Sequence, residues 1–345
     1  MELRKTGSGK RHMEEAIDFV ILWVDGNDPA WREEKEKYSP ETPLADREER
    51  YRDWGFLPYL FRSIEKFAPW FRTIHFVTWG HLPKWLNVNH EKLHIVRHED
   101  YMPKDYLPVF NSNALEICLH RIPGLSERFV YFNDDTFLLK PTHPTDFFKG
   151  DKAVDMLALQ PVVANPKNPI MSHLFLNNSV VLSKYFDKRA NMRKQPLAYF
   201  KPGYPIKYWG YNVLETCFPL FTGFYTIHSV APFLKKTYQD VWEKEEKLLN
   251  EVSSHRFRDN SDVNQYLFRE WQKLSGDFVP ANIQKNNGYF EIGADNRKLI
   301  KTILAQKYKI LCINDVGYDE NVDQIREELI NAFNKILPNK SSFEL

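Results

Sequence analysis

The sequence predicts an α/β fold in which a mostly parallel sheet is covered by helices. Short apolar runs typical of buried strands alternate along the chain with segments whose apolar residues recur at helical spacing. The 345 residues are 43% hydrophobic and 15% aromatic, which is enough to build a sizeable core. We therefore expect one domain over residues 16–345, preceded by a flexible polar N-terminus over residues 1–15.

Four strands are predicted in the first half of the chain. The apolar, β-branched run 17–24 ends at turn-forming residues, which is the pattern of a buried strand. The other strand candidates are 73–78, 92–96 and 128–139, the last interrupted by two carboxylates. The expected helices are a short one within 30–50, an amphipathic one over 57–67 and one over 113–121 with Ser112 as its N-cap.

The second half is predicted to begin with irregular structure and to end in helices. Prolines, asparagines and aromatic residues are frequent over 150–227, so we expect substrate loops there. Helical patterns follow at 232–252, 262–274 and 323–337, and a late strand is expected at 309–314. Pro232 should open the first of these helices and Gly276 should end the second.

The charge balance and hydropathy limit the classes of function. With 47 basic and 46 acidic residues the formal net charge is +1, which argues against a nucleic-acid binder but leaves room for a local phosphate pocket. The apolar runs are shorter than the roughly 20 residues that a membrane span needs, and the basic N-terminus lacks a signal peptide's apolar core. We expect a cytoplasmic protein, with peripheral association at the inner face of the membrane left open.

The three cysteines, Cys118, Cys217 and Cys312, are far apart in the sequence. Their spacing matches neither a disulfide framework nor a paired zinc site. We expect them to be small buried apolar residues in a reducing compartment.

The tripeptide Asn133-Asp134-Asp135 follows the apolar run 129–132. Two adjacent carboxylates at the end of a buried strand are costly unless a positive charge compensates them. Mg²⁺ and Mn²⁺ prefer carboxylate oxygens, and ligands of parallel sheets bind at the carboxyl ends of the strands. A metal site at Asp134 and Asp135 is therefore predicted, with a solvated turn as the alternative.

Two further features belong to the first predicted strand. The turn Asp25-Gly26-Asn27 can present backbone N–H groups and a carboxylate to a nucleotide, although a plain β-turn has the same composition. Asp18 lies between Ile17 and Phe19, where a buried carboxylate needs either a basic partner or a bound ligand.

Other candidates precede or follow helices. Asn111 and Ser112 can cap the helix after them or share its N–H donors with a phosphate. His228 is a candidate general base or phosphate contact, or an ordinary core or surface residue. Arg256 and Arg258 suit anionic oxygens, and a solvated basic loop is the alternative.

Taken together, these segments resemble the four conserved regions of the Stealth family. The similarity covers residues 17–31, 52–138, 220–258 and 262–278 in order, and residues 338–344 also look like the endings of bacterial members. The longest match begins at RSIEKFAPWF and ends at RFVYFNDD. The family includes bacterial capsular polysaccharide phosphotransferases and the catalytic subunit of the animal enzyme that phosphorylates lysosomal glycoproteins.

The resemblance implies transfer of a sugar-1-phosphate from a UDP-hexose or UDP-N-acetylhexosamine to a hydroxyl of a lipid-linked or polymeric cell-surface glycan. The product is a phosphodiester, the nucleoside monophosphate leaves, and membrane-bound polysaccharide assembly machinery is an implied partner. The implied fold is a Rossmann-like, GT-A-related sandwich with helical C-terminal additions. Residues 16–149 would form the nucleotide-sugar and metal half, 150–215 a variable acceptor region, and 216–345 the catalytic His/Arg region with closing helices.

Matching positions carry the implied roles onto this chain. Asp18, His228 and Arg258 would be catalytic, with His228 acting either as a base or as a nucleophile. Asp134 and Asp135 would hold Mg²⁺ or Mn²⁺ on the diphosphate. The expected substrate contacts are Asp25, Gly26, Asn27, Arg52, Asn111 and Ser112. A metal-dependent glycosyltransferase and a non-catalytic capsule-assembly subunit are the alternative functions.

Overall fold

The computed structural model describes residues 16–39, 51–166 and 168–345. The expected flexible N-terminus, 1–15, and the part of the polar connection that covers 40–50 lie outside the described residues. Within the described ranges, no helix combines the length and the apolar character that crossing a bilayer requires.

The secondary structure alternates between strands and helices through most of the chain. The strands are β1 Ile17–Leu22, β2 Ile74–Thr78, β3 Leu93–Arg97, β4 Arg128–Asn133, β5 Thr136–Leu138, β6 Phe148–Lys149, β7 Lys152–Asp155, β8 Ala231–Leu234, β9 Phe278–Pro280, β10 Asn287–Glu291 and β11 Ile310–Asn314. The α-helices are α1 Pro29–Glu36, α2 Leu57–Phe67, α3 His98–Tyr101, α4 Ser112–Glu116, α5 Pro144–Phe147, α6 Pro169–Tyr185, α7 Lys188–Lys194, α8 Pro196–Tyr199, α9 Ile206–Glu215, α10 Lys235–Lys244, α11 Glu246–Ser254, α12 Gln265–Ser275, α13 Arg297–Leu304 and α14 Val322–Ile336.

A five-stranded sheet with the order β3-β2-β1-β4-β8 forms the centre. Its first four strands are parallel and β8 runs antiparallel to β4. The parallel order β3-β2-β1-β4 is that of the first four strands of a Rossmann-type sheet. The predicted α/β class and the mostly parallel central sheet are confirmed.

The sheet is buried on both faces, which explains why its strands read as continuous apolar runs. Along β1, Phe19 belongs to the core that includes α2 and α14, whereas Val20 belongs to the core formed with α4, α10 and α12. Along β4, Phe132 belongs to the same core as Phe19, and Tyr131 belongs to the same core as Val20. This alternation follows from the two-residue period of a strand.

The predicted strand 128–139 divides into two at Asp134 and Asp135. β4 belongs to the central sheet, while β5 pairs antiparallel with β11 in a second sheet of order β10-β11-β5. A third small sheet has the order β6-β7-β9. The two carboxylates therefore lie at the junction of two sheets.

The helix predicted from Pro232 is wrong at its start. Residues 231–234 form β8, and Gln272 Oε1 accepts a hydrogen bond from the Leu234 amide. Proline is tolerated there because β8 is at the edge of the sheet, where a missing N–H breaks no ladder. The helix begins only at Lys235 and is interrupted after Lys244.

The prediction of irregular structure over 150–227 is also wrong, because this region contains β7 and helices α6 to α9. The asparagines that suggested loops serve tertiary contacts instead. Asn177 donates to the Asn260 carbonyl at 2.8 Å, and Asn178 donates to Asn264 Oδ1 at 3.1 Å. Pro169 occupies the first turn of α6, where proline costs no helical hydrogen bond.

Candidate functional site

The candidate site lies where the carboxyl ends of β1 and β4 meet. The register pairs Leu22 with Asn133, so the turn after β1 and the two carboxylates after β4 emerge at the same edge of the sheet. This edge is where parallel α/β sheets bind ligands. From the second sheet, Cys312 of β11 lies opposite Thr136 and completes the junction.

Asp135 and His228 form a hydrogen-bonded pair at this junction. Asp135 Oδ2 lies 3.0 Å from His228 Nε2, and the Cys312 thiol donates to the same oxygen at 3.3 Å. His228 Nδ1 lies 3.3 Å from the Tyr266 hydroxyl, so both ring nitrogens are oriented by neighbours. The second carboxylate oxygen, Asp135 Oδ1, is buried and has no hydrogen-bond partner among the described residues.

The electrostatics of this junction favour a bound positive charge. Desolvation opposes protonation of His228, but the carboxylates of Asp135 and Glu116 outweigh it and raise the pKa of His228 above its ordinary value. The side chain of Asp134 is exposed, although neighbouring protein atoms partly desolvate its carboxylate. That desolvation, together with the negative charges of Asp135 and Asp53, raises the pKa of Asp134 to about 7.

The donor set fits a divalent cation. Asp135, His228 and Cys312 each offer an atom within 4.8 Å of the others, and the unpartnered Asp135 Oδ1 lacks the positive charge or donor that a buried carboxylate oxygen requires. Burial and the charge of Asp135 raise the pKa of the Cys312 thiol well above its ordinary range, so it is not the thiolate that zinc prefers. With the Cys312 thiol set aside, the carboxylate oxygens of Asp135 suit Mg²⁺ or Mn²⁺.

Arg258 is held near this centre by Ser112, whose hydroxyl accepts from Arg258 Nη2 at 3.0 Å. The side chain of Arg256, two residues earlier, stacks over Tyr38 instead, with 4.8 Å between the guanidinium carbon and the ring centre. The two arginines therefore do not act as a pair. The sequence suggested that Ser112 is either a helix cap or a phosphate contact. In the structure, its side chain contacts the site through Arg258.

Glu116 is a functional candidate that sequence reasoning missed. It is buried on α4, and the Tyr131 hydroxyl donates to its Oε1 at 3.1 Å, while its Oε2 has no partner in the described part of the chain. Burial raises the pKa of Glu116 to about 7, although the positive charge of Arg258 acts against this. A lone acidic residue in the otherwise apolar stretch ALEICL was the available signal.

Asn111, a predicted substrate contact, is buried and fully used by the fold. Its Oδ1 caps α4 by accepting from the Asn113 amide at 3.1 Å, so Asn111 rather than Ser112 is the N-cap. Its Nδ2 donates to Asp262 Oδ2 at 2.9 Å. The structure therefore places Asn111 behind Ser112 as a support.

The predicted turn Asp25-Gly26-Asn27 lies at the carboxyl end of β1, beside the candidate site. Asp25 Oδ1 accepts from the Asn27 amide at 2.9 Å, which fixes the turn. A Cβ at Gly26 would come within 2.0 Å of the Tyr51 carbonyl oxygen, so only glycine fits. Arg52 is engaged elsewhere, because it donates to the Tyr318 carbonyl at 2.8 Å and pairs with Asp319.

Asp18 is not brought to this site. It is the second residue of β1, four residues and about 13 Å before the strand end that faces the site. Its carboxylate is fully buried and accepts from Arg72 Nε at 2.7 Å, and it contacts His75 and the Ser126 amide. The catalytic role that the resemblance implies for Asp18 does not fit this position, because its oxygens are already paired at the opposite end of the sheet.

A cavity of about 490 Å³ opens at His228. Its lining contributes hydroxyl, amide and aromatic groups, from Tyr225, Thr226, Ile227, Gln284, Asn287, Tyr289 and Tyr308. Such a wall can hydrogen-bond to hydroxyl groups and stack against a sugar ring. The cavity is large enough for a small polar ligand beside the Asp135–His228 pair.

Comparison with known proteins identifies the family. The model of Stealth protein CR1, conserved region 1, matches residues 15–42, and that of Stealth protein CR2, conserved region 2, matches residues 50–156. The chain is 38% identical to the capsular polysaccharide phosphotransferase WcwK of Streptococcus pneumoniae, over 96% of its own length and 98% of that protein. The chain belongs to the Stealth family. The resemblance stated from the sequence motifs is thereby confirmed, and this Stealth chain is an enzyme of the phosphotransferase class.

Two other Stealth relatives act on different polysaccharides, according to their names. The chain is 39% identical to the receptor polysaccharide phosphotransferase WefC of Streptococcus gordonii, over 96% of the chain and all of that protein. It is 35% identical to the exopolysaccharide phosphotransferase cps2G of Lactiplantibacillus plantarum, over 95% of the chain and 96% of that protein. Among solved structures, the galactosyltransferase LgtC superposes over 94% of this Stealth chain and 98% of its own chain. The TM-score is 0.39 and the sequence identity is 12%. A similarity this low shows nothing about the activity.

Proposed function

We propose that this protein transfers a sugar-1-phosphate from a nucleotide-sugar to a hydroxyl of a growing cell-surface polysaccharide, with release of the nucleoside monophosphate. The family relatives named above are polysaccharide phosphotransferases, which supports this class of reaction. The observation that carries the proposal is the Asp135–His228 pair, with its unpartnered carboxylate oxygen, at the ligand-binding edge of the sheet.

The reacting diphosphate carries several negative oxygens, so positioning and charge neutralisation dominate the chemistry. Asp134 and Asp135 would hold Mg²⁺ or Mn²⁺, and the cation would supply neutralising charge to the diphosphate. Asp135 can do this through its unpartnered Oδ1 while Oδ2 remains with His228. Arg258, oriented by Ser112, would stabilise the oxygens of the transferred phosphoryl group.

His228 has one nitrogen available for the reaction. When the ring is neutral and the Nε2–H donates to the Asp135 carboxylate, Nδ1 carries the lone pair and faces the Tyr266 hydroxyl. As a base, Nδ1 takes the proton of the acceptor hydroxyl, whose oxygen attacks the β-phosphorus while the bond to the nucleoside monophosphate breaks. As a nucleophile, the same nitrogen attacks the β-phosphorus and expels the nucleoside monophosphate, which gives a phosphohistidine. The acceptor hydroxyl then attacks that phosphorus, the P–N bond breaks, and the hydroxyl proton passes to the released nitrogen.

The three segments of the chain would divide this work. We assign residues 16–149 to the nucleotide-sugar and cation, 150–215 to acceptor choice, and 216–345 to the catalytic His228 and Arg258. The turn Asp25-Gly26-Asn27 is the candidate nucleotide contact, since it lies beside the carboxylates. The enzyme would work in the cytoplasm, at the inner face of the membrane, where lipid-linked acceptors and the assembly machinery are reached.

The test is incubation of the purified protein with a panel of nucleotide-sugars and an acceptor polysaccharide, with chelator and with added Mg²⁺ or Mn²⁺. We expect one donor to release its nucleoside monophosphate, dependent on the metal. Release of the nucleoside diphosphate would show a glycosyltransferase instead, and no release from any donor would favour a non-catalytic subunit.

Variants locate the activity in the proposed site. Asp135→Asn should abolish release because it removes a carboxylate that both orients His228 and holds the cation. Asp151→Asn, in the exposed turn between β6 and β7, is the matched control and should keep full release. Equal activity in the two variants would contradict the assignment of the site.

A further inference from the structure

Helix α9 is amphipathic in the opposite sense to an ordinary surface helix. Its outward residues are mainly apolar, with Ile206 exposed to 85%, Val213 to 60% and Leu214 to 53%. Its inward residues include Asn212 and Glu215, which are completely buried. A helix on the surface of a soluble domain normally turns its apolar stripe to the core and its polar residues to water.

The inward polar groups of α9 have specific partners, so the orientation is built into the fold. Asn212 Oδ1 accepts from the Leu159 amide at 2.8 Å, and its Nδ2 donates to the Tyr199 carbonyl at 2.7 Å. Glu215 accepts from the buried Lys188 ammonium at 2.6 Å. Rotating the helix to hide its apolar face would strand these groups, which costs more than the exposure of a few aliphatic side chains.

The surface that contains α9 continues over its neighbours. We call residues 188–220, which comprise α7, α8, α9 and the following loop, the α7–α9 surface. Further large apolar side chains are exposed on it, namely Leu197 at 72%, Leu220 at 61% and Phe218 at 44%. Exposed aliphatic and aromatic side chains thus recur on consecutive short helices, and apolar side chains exposed together mark interaction sites.

The charges of the α7–α9 surface are of one sign. Glu215 is the only acidic residue between 188 and 220, and it is buried against Lys188. The exposed charged residues of this range are all basic: Arg189, Arg193, Lys194 and Lys207. The whole chain has a net charge of only +1, so this basic surface is a local concentration. Protruding apolar residues surrounded by lysine and arginine are typical of surfaces that lie on anionic membranes.

The α7–α9 surface is adjacent to the cavity at His228. Tyr208, on the buried side of α9, packs against Tyr225 with 4.4 Å between ring centres, and its hydroxyl accepts from Gln284 at 2.7 Å. Tyr225 and Gln284 both line that cavity. A membrane touching this surface would therefore bring a lipid-anchored molecule close to the candidate site.

We propose that the α7–α9 surface docks on the anionic headgroups of a lipid bilayer and inserts Ile206, Val213 and Leu214 among them. A second copy of the chain is a poorer occupant, because a two-fold interface would bring the basic residues of both copies together without acidic partners. The proposal goes beyond the transferase activity, since lipid binding needs no turnover and is measured without donor or acceptor.

Cys217 provides a native probe on this surface. It is exposed, whereas Cys118 and Cys312 are buried, so an environment-sensitive thiol-reactive fluorophore should label Cys217 selectively. The labelled full-length chain is mixed with vesicles of phosphatidylcholine alone or of phosphatidylcholine with phosphatidylglycerol. We expect a blue shift and co-sedimentation only with the anionic vesicles, both weakened by added salt.

Two sets of variants separate the apolar and the basic contributions. Ile206→Ser/Leu214→Ser should weaken vesicle binding about tenfold or more, since two exposed side chains lose their apolar contact with lipid. Lys194→Gln/Lys207→Gln should weaken it about fivefold for each charge removed. Val88→Ser/Leu304→Ser, exposed apolar residues elsewhere, is the matched control and should bind as the unmodified chain does.

Two results would overturn the proposal. One is equal binding of Ile206→Ser/Leu214→Ser and the unmodified chain to the anionic vesicles. The other is a dimer in analytical ultracentrifugation that the same variant dissolves, without any vesicle binding, which would make this surface an interface between copies.

Discussion

Replacing Asp18 by asparagine distinguishes a structural role from the catalytic role that family resemblance implies. Asp18 is fully buried, with Arg72 Nε at 2.7 Å, His75 Nε2 at 3.0 Å and the Ser126 amide at 2.7 Å from its oxygens. Asparagine keeps the shape but removes the charge. We expect the variant to lose stability and to keep its turnover per folded molecule.

The size of the loss follows from the geometry. Breaking a fully buried ion pair costs about 3–5 kcal/mol. The side chain of Arg72 is 36% exposed, so water screens its stranded charge and we expect about 2–3 kcal/mol. Burial alone would raise the pKa of Asp18, but the hydrogen bonds from His75 and Arg72 outweigh it and hold that pKa below 3.8. The stabilising effect is therefore complete at neutral pH and is lost as the pH falls below 3.8 and through the folded-state pKa.

The measurement is the free energy of unfolding from urea titrations at several pH values, together with kcat at a temperature where each variant is folded. Asp135→Asn is the matched control, since it also replaces an aspartate by asparagine but should lower kcat and preserve stability. The reasoning is refuted if Asp18→Asn unfolds at the same urea concentration as the unmodified chain while its kcat falls by an order of magnitude.

Three further predictions, made with five variants, test individual contacts. His228→Ala should lower kcat by about 10²–10⁴-fold because it removes the base or nucleophile, and circular dichroism should show an unchanged fold; full turnover would contradict this role. Arg258→Lys should lower kcat at least about tenfold, since an ammonium cannot bind two phosphoryl oxygens in a planar fork. Ser112→Ala should have a smaller effect, because Ser112 only orients Arg258. A larger effect of Ser112→Ala would contradict these two roles. Lys188→Met should lower the free energy of unfolding by about 3–5 kcal/mol, because it leaves the buried Glu215 carboxylate without its cation. Lys188→Met/Glu215→Gln should recover most of this loss in thermal unfolding. No recovery would mean that the packing of Lys188 matters more than its charge.

The parts of the fold that sequence predicted well are those whose signal is local. The apolar run of β1 and the helical spacing of α2 each lie within about ten residues, and both elements occur where they were expected. Gly276 ends α12 in the left-handed conformation, as a glycine after a helix predicts. Pro232 gave a misleading signal because its place at the edge of the sheet depends on pairing with β4, about a hundred residues earlier.

The site was predictable where a motif marked it and unpredictable where distant segments complete it. Asp135 was found from its tripeptide and His228 as a single candidate that the family resemblance strengthened, but their contact joins residues 93 positions apart. Glu116 belongs to no recognised motif, and only the structure shows that its carboxylate is buried. Asp18 was singled out because a buried strand carboxylate predicts a partner without saying whether the partner is a ligand or, as here, Arg72.

The most direct test of the central claim is to follow the phosphorus atom itself. A nucleotide-sugar that carries radiolabelled phosphorus in its β-phosphate is incubated with the enzyme, Mg²⁺ or Mn²⁺ and acceptor polysaccharide. If the Asp135–His228 site directs attack at phosphorus, the label moves into the polysaccharide and the released nucleoside monophosphate is unlabelled. If the label stays with a released nucleoside diphosphate, the bond to the anomeric carbon has been broken instead, and the proposed reaction is wrong.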